Sequence, residues 1–564
     1  MSPERHNPLI VQSDRTVLLE VDNPLYPEAR DALARFAELE KSPEHFHTYR
    51  ITPLSLWNAA AAGQSAEAIL ATLERFSKYE IPSNILSEVR DYIARYGRLK
   101  LVRKGEEMFL VSDDPAIIAL ASRHRSVRPL VLEVVDGRTL RVRPDRRGHL
   151  KQALIRIGYP VEDLAGYVRG APLAVELRER TTAGEPFALR HYQEDAAGVF
   201  LAGGSERGGS GVVVLPCGAG KTIVGMAVMA RLKTHTLVLC TNVTAVRQWR
   251  RELLEKTTLS DDQIGEYSGE AKELRPVTVA TYQILTYRRR KSEGFPHFKI
   301  FNARDWGLII YDEVHLLPAP VFRITAEIQS RRRLGLTATL IREDHLEDDV
   351  FSLIGPKRYD VPWKDLERQG WIAAAECVEI RLPLPDDLRM EYAMAPARAR
   401  FRIASENPAK EALVRHLLAR HRGDSVLVIG QYIRQLEQLA RDTGIPLITG
   451  STPNDERDRL YDDFRNGRIR ELIVSKVANF AVDLPDANVA IQVSGTFGSR
   501  QEEAQRLGRI LRPKSDGSRA RFYSLVTRDS RDQDFAAKRQ LFLTEQGYTY
   551  RILDARDALA SDCL

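Results

Sequence analysis

The stretch that most constrains the fold is Leu215-Pro216-Cys217-Gly218-Ala219-Gly220-Lys221-Thr222. It is preceded by the apolar run Gly211-Val-Val-Val-Leu215, and residues 223–232 have the composition of a helix. Short apolar runs rich in β-branched residues are typical of buried parallel strands. Glycines let the backbone approach phosphate oxygens, and a helix N-terminus directs N–H groups at an anion. The stretch therefore predicts a strand, a phosphate-binding loop and a helix.

Within this loop, Lys221 is expected at the β- and γ-phosphates of a nucleotide, and Thr222 is expected to bind Mg²⁺. The strict eight-residue pattern has glycine where Leu215 stands, so the loop alone also fits an ordinary strand–turn–helix corner. The other residues predicted to line the phosphates are Pro216, Cys217, Gly218, Ala219 and Gly220.

A second motif, Asp312-Glu313-Val314-His315, follows the apolar run Gly307-Leu-Ile-Ile-Tyr311. Two adjacent acids at the end of a buried strand are costly unless they bind a cation or take part in chemistry. Asp312 is predicted to hold Mg²⁺ and Glu313 to activate the attacking water, with His315 as a third catalytic candidate. Together with Lys221, this motif favours nucleotide hydrolysis over a charged surface turn.

Composition limits the class of protein. The chain has 564 residues, of which 43% are hydrophobic and 28% charged, as in a soluble protein of three or four domains. No apolar run approaches the roughly 20 residues of a membrane span, so no membrane partner is expected. Four distant cysteines predict a reducing compartment, the cytoplasm or, in a eukaryote, the nucleus. A net charge of +6 allows nucleic acid as a partner.

The N-terminal part of the chain shows two small blocks. Residues 1–115 predict helices over 27–39, 53–76 and 83–96 and a final strand pair, and we interpret them as an interaction domain. Residues 116–182 predict a hairpin over 131–142 and a basic turn over 143–148, followed by tyrosines. Cations and rings in that second block fit contacts with phosphates and bases, and they fit a solvated surface equally well.

From residue 183 onward, apolar strands alternate with helices, which predicts doubly wound parallel sheets with ligands at the carboxyl ends of the strands. One series covers 183–361 and a second covers 362–564. The second series lacks a phosphate loop but contains Arg509 and Arg512, which are three residues apart and share one helix face. This pair favours arginines that act on a nucleotide, with surface salt bridges as the alternative.

Taken together, these motifs resemble those of a superfamily 2 helicase of the XPB type. Residues 215–222 match the family's motif I, Leu215 included, and residues 312–315 match motif II in the form that this family uses. Residues 189–193 resemble the adenine-side motif, so Arg190 and Gln193 are expected to contact the nucleotide. The resemblance is closest over 185–545.

Further motifs of this resemblance concern coupling and DNA. Thr337-Ala338-Thr339 matches the motif that couples hydrolysis to lobe movement, and Arg342-Glu343-Asp344 matches a tripeptide associated with opening the duplex. Residues 505–512 match motif VI, which implies Gln505 as a nucleotide contact and makes Arg509 and Arg512 catalytic. The other implied coupling or DNA residues are Gln248, Trp249, Thr281 and Asp483.

The resemblance implies an α/β fold of two RecA-like lobes preceded by small α+β domains. It implies ATP with Mg²⁺ bound by the lobe 183–361 and a second lobe 362–564 with a thumb-like insertion at about 388–404. The implied partner is DNA at a junction of duplex and single strand. The resemblance also implies 3′ to 5′ movement and a role in nucleotide excision repair. Residues 116–182 would be a damage-recognition-like domain, and residues 1–115 would bind a protein partner such as a repair nuclease.

One departure from the family pattern stands in the second lobe, where Ala478-Asn479 replaces the usual Gly-Asp. This change predicts weaker coupling between DNA and ATP. Two alternatives therefore stay open, an ATP-switched DNA-binding scaffold and a duplex translocase with weak unwinding. The motor part of a restriction-type nuclease is a further alternative, but the N-terminal third has no Asp…Glu-x-Lys cluster on predicted strands to support it.

Overall fold

The computed structural model describes residues 6–42, 45–205, 207–216, 218–290, 294–329, 331–338, 347–361, 363–371, 375–475, 487–495, 520–545, 548 and 550–560. The chain divides into two compact units. The first comprises most of residues 1–361, and the second comprises residues 362–564 with the short segments 39–43 and 216–219. Within the described ranges, no helix is both long and apolar enough to cross a membrane.

The chain begins with an antiparallel sheet in which Thr16–Glu20 pairs with Leu9–Val11 and with Phe46–Arg50. The helix predicted over 27–39 is shorter than expected and is followed by the strand Glu38–Lys41. The helix predicted over 53–76 is in fact two helices, because the chain turns at Gly63 with a φ of +88°. The helices of this region are Tyr26–Leu33, Pro53–Ala61, Ala66–Phe76 and Ser83–Arg95.

A five-stranded sheet follows. In spatial order its strands are Val131–Asp136, Thr139–Val142, Glu107–Val111, Leu99–Lys104 and Val161–Leu164. The helices Pro115–Arg123 and Arg147–Arg156 contribute side chains to its hydrophobic core. The boundary predicted at 115/116 falls inside this sheet, since Met108 pairs with Val142. The strands on the two sides of that boundary therefore share one core.

Part of the basic segment in this sheet region makes internal contacts. Nη2 of Arg147 lies 2.6 Å from Oδ1 of Asp163, and Nζ of Lys151 lies 3.1 Å from Oδ2 of the same carboxylate. Lys151 also donates to Oε1 of Gln329 at 3.0 Å. The hydroxyl of Tyr167 donates to Oγ of Ser210 at 2.9 Å. Arg147 and Tyr167 thus serve internal packing, which favours the structural interpretation for these two residues.

The first unit also contains a seven-stranded sheet whose neighbouring strands are all parallel. In spatial order the strands are Ile264–Tyr267, Val277–Thr281, Thr236–Cys240, Leu308–Asp312, Arg332–Thr337, Ser210–Val214 and Lys357–Asp360. The helices of this lobe are His191–Leu201, Lys221–Leu232, Val243–Lys256, Tyr282–Thr286, Ala319–Glu327, Glu347–Asp349 and the π-helix Val350–Ile354.

The second unit contains another seven-stranded sheet with parallel neighbours. In spatial order its strands are Leu447–Ile448, Glu471–Ser475, Val426–Gly430, Val489–Gln492, Ala520–Thr527, Ala375–Leu382 and Tyr550–Asp554. The described helices are Trp363–Arg368, Asp386–Met394, Ala397–Ser405, Ala409–Arg420, Ile433–Thr443, Asn454–Arg465, Arg531–Glu545 and Ala555–Ala560.

The two large sheets have the same topology. When the strands of each sheet are numbered along the chain, both have the spatial order 3-4-2-5-6-1-7. The α/β prediction of two RecA-like, doubly wound lobes preceded by small α+β regions is confirmed. The predicted thumb-like insertion at 388–404 coincides with the helical pair Asp386–Met394 and Ala397–Ser405, while its function stays a prediction.

Candidate nucleotide-binding and hydrolysis site

The predicted strand, glycine loop and helix lie at the stated positions. Ser210–Val214 is buried throughout, and the backbone N–H of Leu215 donates to the carbonyl of Thr337 at 3.0 Å. Gly218 and Gly220 both have φ of +81°, a conformation that residues with a Cβ rarely adopt. Gly220 is the N-cap of the helix Lys221–Leu232. The helix N-terminus therefore follows the glycine turn directly, as a phosphate-binding loop requires.

Two more of the predicted loop residues can be placed. Ala219 is buried, and its N–H donates to the carbonyl of Pro216 at 3.2 Å. This bond closes a tight turn in the chain just before the helix. Cys217 lies outside the described residues.

The structure brings Gln193 to the end of this loop. The side chain of Gln193 is buried near the start of the helix His191–Leu201, and its Oε1 accepts from the N–H of Arg190 at 3.0 Å. A Cβ on Gly220 would lie 2.5 Å from Nε2 of Gln193, so a side chain at this position would displace the amide. Arg190 in turn donates from Nη1 to the hydroxyl of Tyr192 at 3.0 Å. The amide predicted for the adenine side therefore lies against the phosphate loop.

Asp312 ends the central strand Leu308–Asp312, and its carboxylate is held on both oxygens. Nε1 of Trp249 donates to Oδ2 at 2.9 Å, and the backbone N–H of Glu313 donates to Oδ1 at 3.0 Å. The hydroxyl of Tyr282 donates to the carbonyl of Asp312 at 2.9 Å. Burial and the neighbouring charge of Glu313 raise the pKa of Asp312 to about 6, against the effects of Trp249 and Lys221.

Glu313 connects the phosphate-loop helix to the end of another strand. Its Oε1 lies 3.4 Å from Nζ of Lys221, and its Oε2 lies 3.4 Å from Nδ1 of His315. Nδ1 of His315 shares a hydrogen bond of 2.6 Å with Oγ1 of Thr337. Glu313 adopts a left-handed backbone conformation with φ of +50°, which is uncommon and strained for a residue with a side chain.

The side chains at this position fit Mg²⁺. Asp312 supplies a carboxylate, and Thr222, the second residue of the loop helix, supplies a half-buried hydroxyl. Oε2 of Glu313 is buried and accepts no hydrogen bond from the described residues, so it has capacity for an ordered water. Mg²⁺ prefers oxygen ligands and is commonly held by one or two protein side chains together with phosphates and waters. The donor set therefore suits a nucleotide-bound Mg²⁺.

The predicted coupling and DNA residues occupy different environments. Gln248 is half-buried, whereas Trp249, Thr281 and Thr337 are each at most 1% exposed. Thr281 caps the helix Tyr282–Thr286 by accepting from the N–H of Ile284 at 3.2 Å. Burial excludes direct DNA contact by Trp249, Thr281 and Thr337 in this conformation. Trp249 belongs to the surroundings of Asp312, and Thr337 to those of His315.

The remaining predicted residues lie outside the part of the chain that the structure describes, so their roles stay predictions. They are Thr339, Arg342, Glu343, Asp344, Asp483, Gln505, Arg509 and Arg512, and the same holds for the departure at Ala478-Asn479.

Sequence reasoning missed Tyr282 and the bond between Trp249 and Asp312. A signal for Tyr282 existed, because it directly follows the strand Val277–Thr281. Polar groups at the carboxyl ends of strands in one parallel sheet gather at the same edge. No comparable signal existed for Trp249, which lies within a helix and is 63 residues from Asp312 in the chain.

Three family models of helicases and related enzymes match parts of this chain. Residues 366–562 match the family model described as ERCC3/RAD25/XPB C-terminal helicase. Residues 9–136 match the model of a helicase conserved C-terminal domain, and residues 186–342 match that of the type III restriction enzyme, res subunit. These three matches include the N-terminal region and both lobes.

Relatives that are covered over most of their length agree with these matches. A protein of Kineococcus radiotolerans named DNA 3′-5′ helicase XPB is 57% identical, with 98% of this chain and 97% of the relative covered. A protein of Mycobacterium tuberculosis with the same name is 58% identical, with 98% of each chain covered. The general transcription and DNA repair factor IIH helicase/translocase subunit XPB/SSL2 of Saccharomyces cerevisiae is 33% identical, with 96% of this chain and 72% of the relative covered.

Proposed function

The chain belongs to the XPB family of superfamily 2 helicases, and from this premise we propose that it hydrolyses ATP to move 3′ to 5′ along DNA and open the duplex. Nucleotide excision repair is the process in which it would act. The observation that carries the proposal is the series of contacts from Lys221 through Glu313 and His315 to Thr337. It connects the start of the phosphate-loop helix with Glu313, the proposed activator of water, and with Thr337 at the end of a neighbouring strand.

The chemistry follows from the charges in this series. Lys221 and Glu313 neutralise each other at 3.4 Å. A triphosphate competes for Lys221, and the carboxylate of Glu313 is then available to orient and deprotonate the attacking water. Thr222 and Asp312 would hold Mg²⁺, which when bound neutralises charge on the phosphate oxygens.

The other side of Glu313 provides a route for coupling. His315 is buried between Oε2 of Glu313 and Oγ1 of Thr337. Thr337 is the last residue of the strand Arg332–Thr337 and opens the motif that the family associates with lobe movement. A shift of the Glu313 carboxylate during hydrolysis would therefore change the hydrogen bonding of Thr337.

The partners follow from the family and from charge. DNA is the proposed substrate surface, and a net charge of +6 is compatible with it. We propose that residues 116–182 take part in damage recognition together with the strands Leu99–Lys104 and Glu107–Val111 of the same sheet, and that the region before this sheet docks a protein such as a repair nuclease. Residues 388–404 are proposed to act as a thumb on DNA.

The test is ATP turnover by the whole chain with and without DNA, followed by strand displacement on duplexes with a 3′ or a 5′ tail. We expect turnover to rise with DNA, and displacement to require the 3′ tail. Nucleotide binding without turnover would instead favour the ATP-switched scaffold. DNA-stimulated turnover without displacement would favour the translocase with weak unwinding that Ala478-Asn479 predicts.

A further inference from the structure

Trp249 has a specific contact that the proposed reaction does not yet use. We infer that Trp249 is a positioning residue for the Mg²⁺-binding carboxylate of Asp312. It would connect that carboxylate with a helix whose opposite face is exposed. The inference rests on the proposed function, because it assumes that Asp312 holds the nucleotide's Mg²⁺.

The first step is the geometry of the carboxylate. Nε1 of Trp249 donates to Oδ2 of Asp312 at 2.9 Å, and the backbone N–H of Glu313 occupies Oδ1. Two donors on different oxygens fix the plane of the carboxylate, whereas the backbone N–H alone would leave it free to rotate. An indole nitrogen can only donate a hydrogen bond, so Asp312 is always the acceptor in this contact. Trp249 therefore determines the direction in which Asp312 presents its lone pairs.

The second step is the way in which the indole is held. Trp249 is 1% exposed. A Cβ added to Gly225 would lie 2.6 Å from Cη2 of Trp249 and 3.4 Å from Cδ1 of Ile310. Gly225 is inside the helix Lys221–Leu232, and Ile310 is in the strand that ends at Asp312. Glycine at this helix position leaves the space that the ring fills, and the ring has no room to shift toward that helix.

The third step concerns the helix Val243–Lys256, which supplies Trp249. Its buried stripe consists of Val246, Trp249 and Leu253. The opposite stripe is exposed and includes Arg247 and Arg251. Arg247 forms an exposed ion pair with Glu270 at 2.7 Å, in which the phosphates of DNA could replace the carboxylate, since cations on an exposed helix face suit phosphates. A displacement of this helix by DNA would reach Asp312 through the hydrogen bond from Trp249.

The expected consequence is a change in Mg²⁺ affinity. Partners that hydrogen-bond a metal-ligating group orient it, and their loss typically lowers metal affinity by about 10- to 100-fold. Trp249→Phe removes the N–H and keeps most of the ring. We therefore expect half-maximal nucleotide binding by this variant to require at least about a tenfold higher Mg²⁺ concentration.

The experiment is a Mg²⁺ titration of the binding of a fluorescent N-methylanthraniloyl derivative of ADP to the whole chain, which requires no turnover. Trp306→Phe is the matched control. Trp306 is also fully buried in the first unit, and its Nε1 donates to the carbonyl of Ile300 at 2.8 Å. Both variants thus lose one indole hydrogen bond and the same volume, but only one loses a contact with Asp312.

A second variant, Gly225→Ala, tests the same inference without removing the N–H. Its methyl group would push the ring of Trp249, so we expect Mg²⁺ affinity to fall in this variant too. Thermal melts of all three variants establish that each is folded at the titration temperature. If Trp249→Phe does not fold, Gly225→Ala decides the question alone.

The outcomes separate the inference from the proposed function. Weakened Mg²⁺ dependence in Trp249→Phe and Gly225→Ala, with a wild-type response in Trp306→Phe, supports the positioning role. Equal shifts in the two tryptophan variants, or a wild-type response in Trp249→Phe or Gly225→Ala, overturns it. Absence of Mg²⁺-dependent nucleotide binding by the wild-type chain would instead overturn the proposed function.

Discussion

Each lobe has a lysine–carboxylate pair at the carboxyl ends of its parallel strands, and the two pairs differ in access. In the first lobe Nζ of Lys221 lies 3.4 Å from Glu313, and the two side chains are 12% and 18% exposed. In the second lobe Nζ of Lys410 lies 2.7 Å from Asp532, with side-chain exposures of 0% and 1%. The strand order around the two pairs is the same.

The partners of each pair explain the difference. Lys410 also donates to the carbonyl of Val493 at 2.9 Å, and Asp532 accepts from the N–H of Thr527 at 3.1 Å. The buried pair therefore ties together the ends of two strands. Lys221 and Glu313 are partly exposed, so an anionic ligand can bind Lys221 and free the carboxylate of Glu313 from the ion pair. Access and surrounding donors, more than topology, therefore separate a pair that can meet a ligand from a buried structural pair.

The segment after the first strand of each sheet shows the same principle. In the first lobe this segment is the loop of residues 215–222. In the second lobe it leads from Ala375–Leu382 into the helical pair Asp386–Met394 and Ala397–Ser405. One topological position thus carries a phosphate loop in one lobe and a helical insertion in the other.

The largest expected effect tests whether the second lobe also contributes residues to ATP hydrolysis. We expect Arg509→Ala and Arg512→Ala each to lower ATP turnover by about 10³- to 10⁵-fold, because arginines that stabilise phosphoryl transfer have effects of this size. Steady-state turnover with saturating DNA measures it. Arg528→Ala, which removes a surface pair with Asp554, is the control from the same lobe. If turnover falls no more than in this control, Arg509 and Arg512 would instead be surface residues that form salt bridges.

The next prediction distinguishes the roles of Lys221 and Glu313, the accessible pair. We expect Glu313→Gln to bind nucleotide but to lose about 10²- to 10⁴-fold in turnover, since only the water-activating step is removed. Lys221→Ala should lose nucleotide binding itself, because it removes the charge that neutralises phosphate. Binding isotherms and turnover measured on the same preparations separate the two. Normal hydrolysis by Glu313→Gln would contradict the assignment of the acid.

The third prediction concerns the buried pair of Lys410 and Asp532. Asp532→Asn leaves Lys410 and the buried Arg539, which lies 3.7 Å from the same carboxylate, without their counter-charge, which should destabilise the second lobe by about 3–5 kcal/mol. Urea unfolding measures this loss, and turnover per folded molecule should stay near the wild-type value. Asp442→Asn, which disrupts a more exposed pair with Arg415, should cost at most about 1 kcal/mol. Equal costs for the two variants would mean that the buried pair has no special structural role.

The smallest effect is confined to one activity. Replacing Arg342, Glu343 and Asp344 together by Ala should leave nucleotide binding intact and reduce strand separation more than DNA-stimulated turnover. Three consecutive charges are too costly to bury, so this tripeptide is expected on an exposed loop beside DNA. Displacement and turnover assays on one tailed duplex compare the two activities. Equal losses would indicate that the tripeptide only supports the ATP site, and no loss would indicate a solvated turn.

Much of the first lobe could be predicted from the sequence because its signals are local. The apolar run before Gly218 and Gly220 predicted a buried strand and a turn, and the strand Ser210–Val214 and the loop helix have the expected positions. The acids at 312 and 313 were recognised because they end an apolar run. Where the prediction was wrong, as in the helix over 27–39, the local pattern did not identify the strand Glu38–Lys41.

Local sequence patterns were enough to predict the strands beside the site, the position of the phosphate loop and the acids at a strand end, because these properties depend on neighbours along the chain. The contact of Trp249 with Asp312, that of Gln193 with Gly220 and the burial of Lys410 against Asp532 became visible only in the folded chain. These contacts join residues that are distant along the chain. Their strength depends on burial and on the exclusion of competing water, which no local pattern records, because packing creates both.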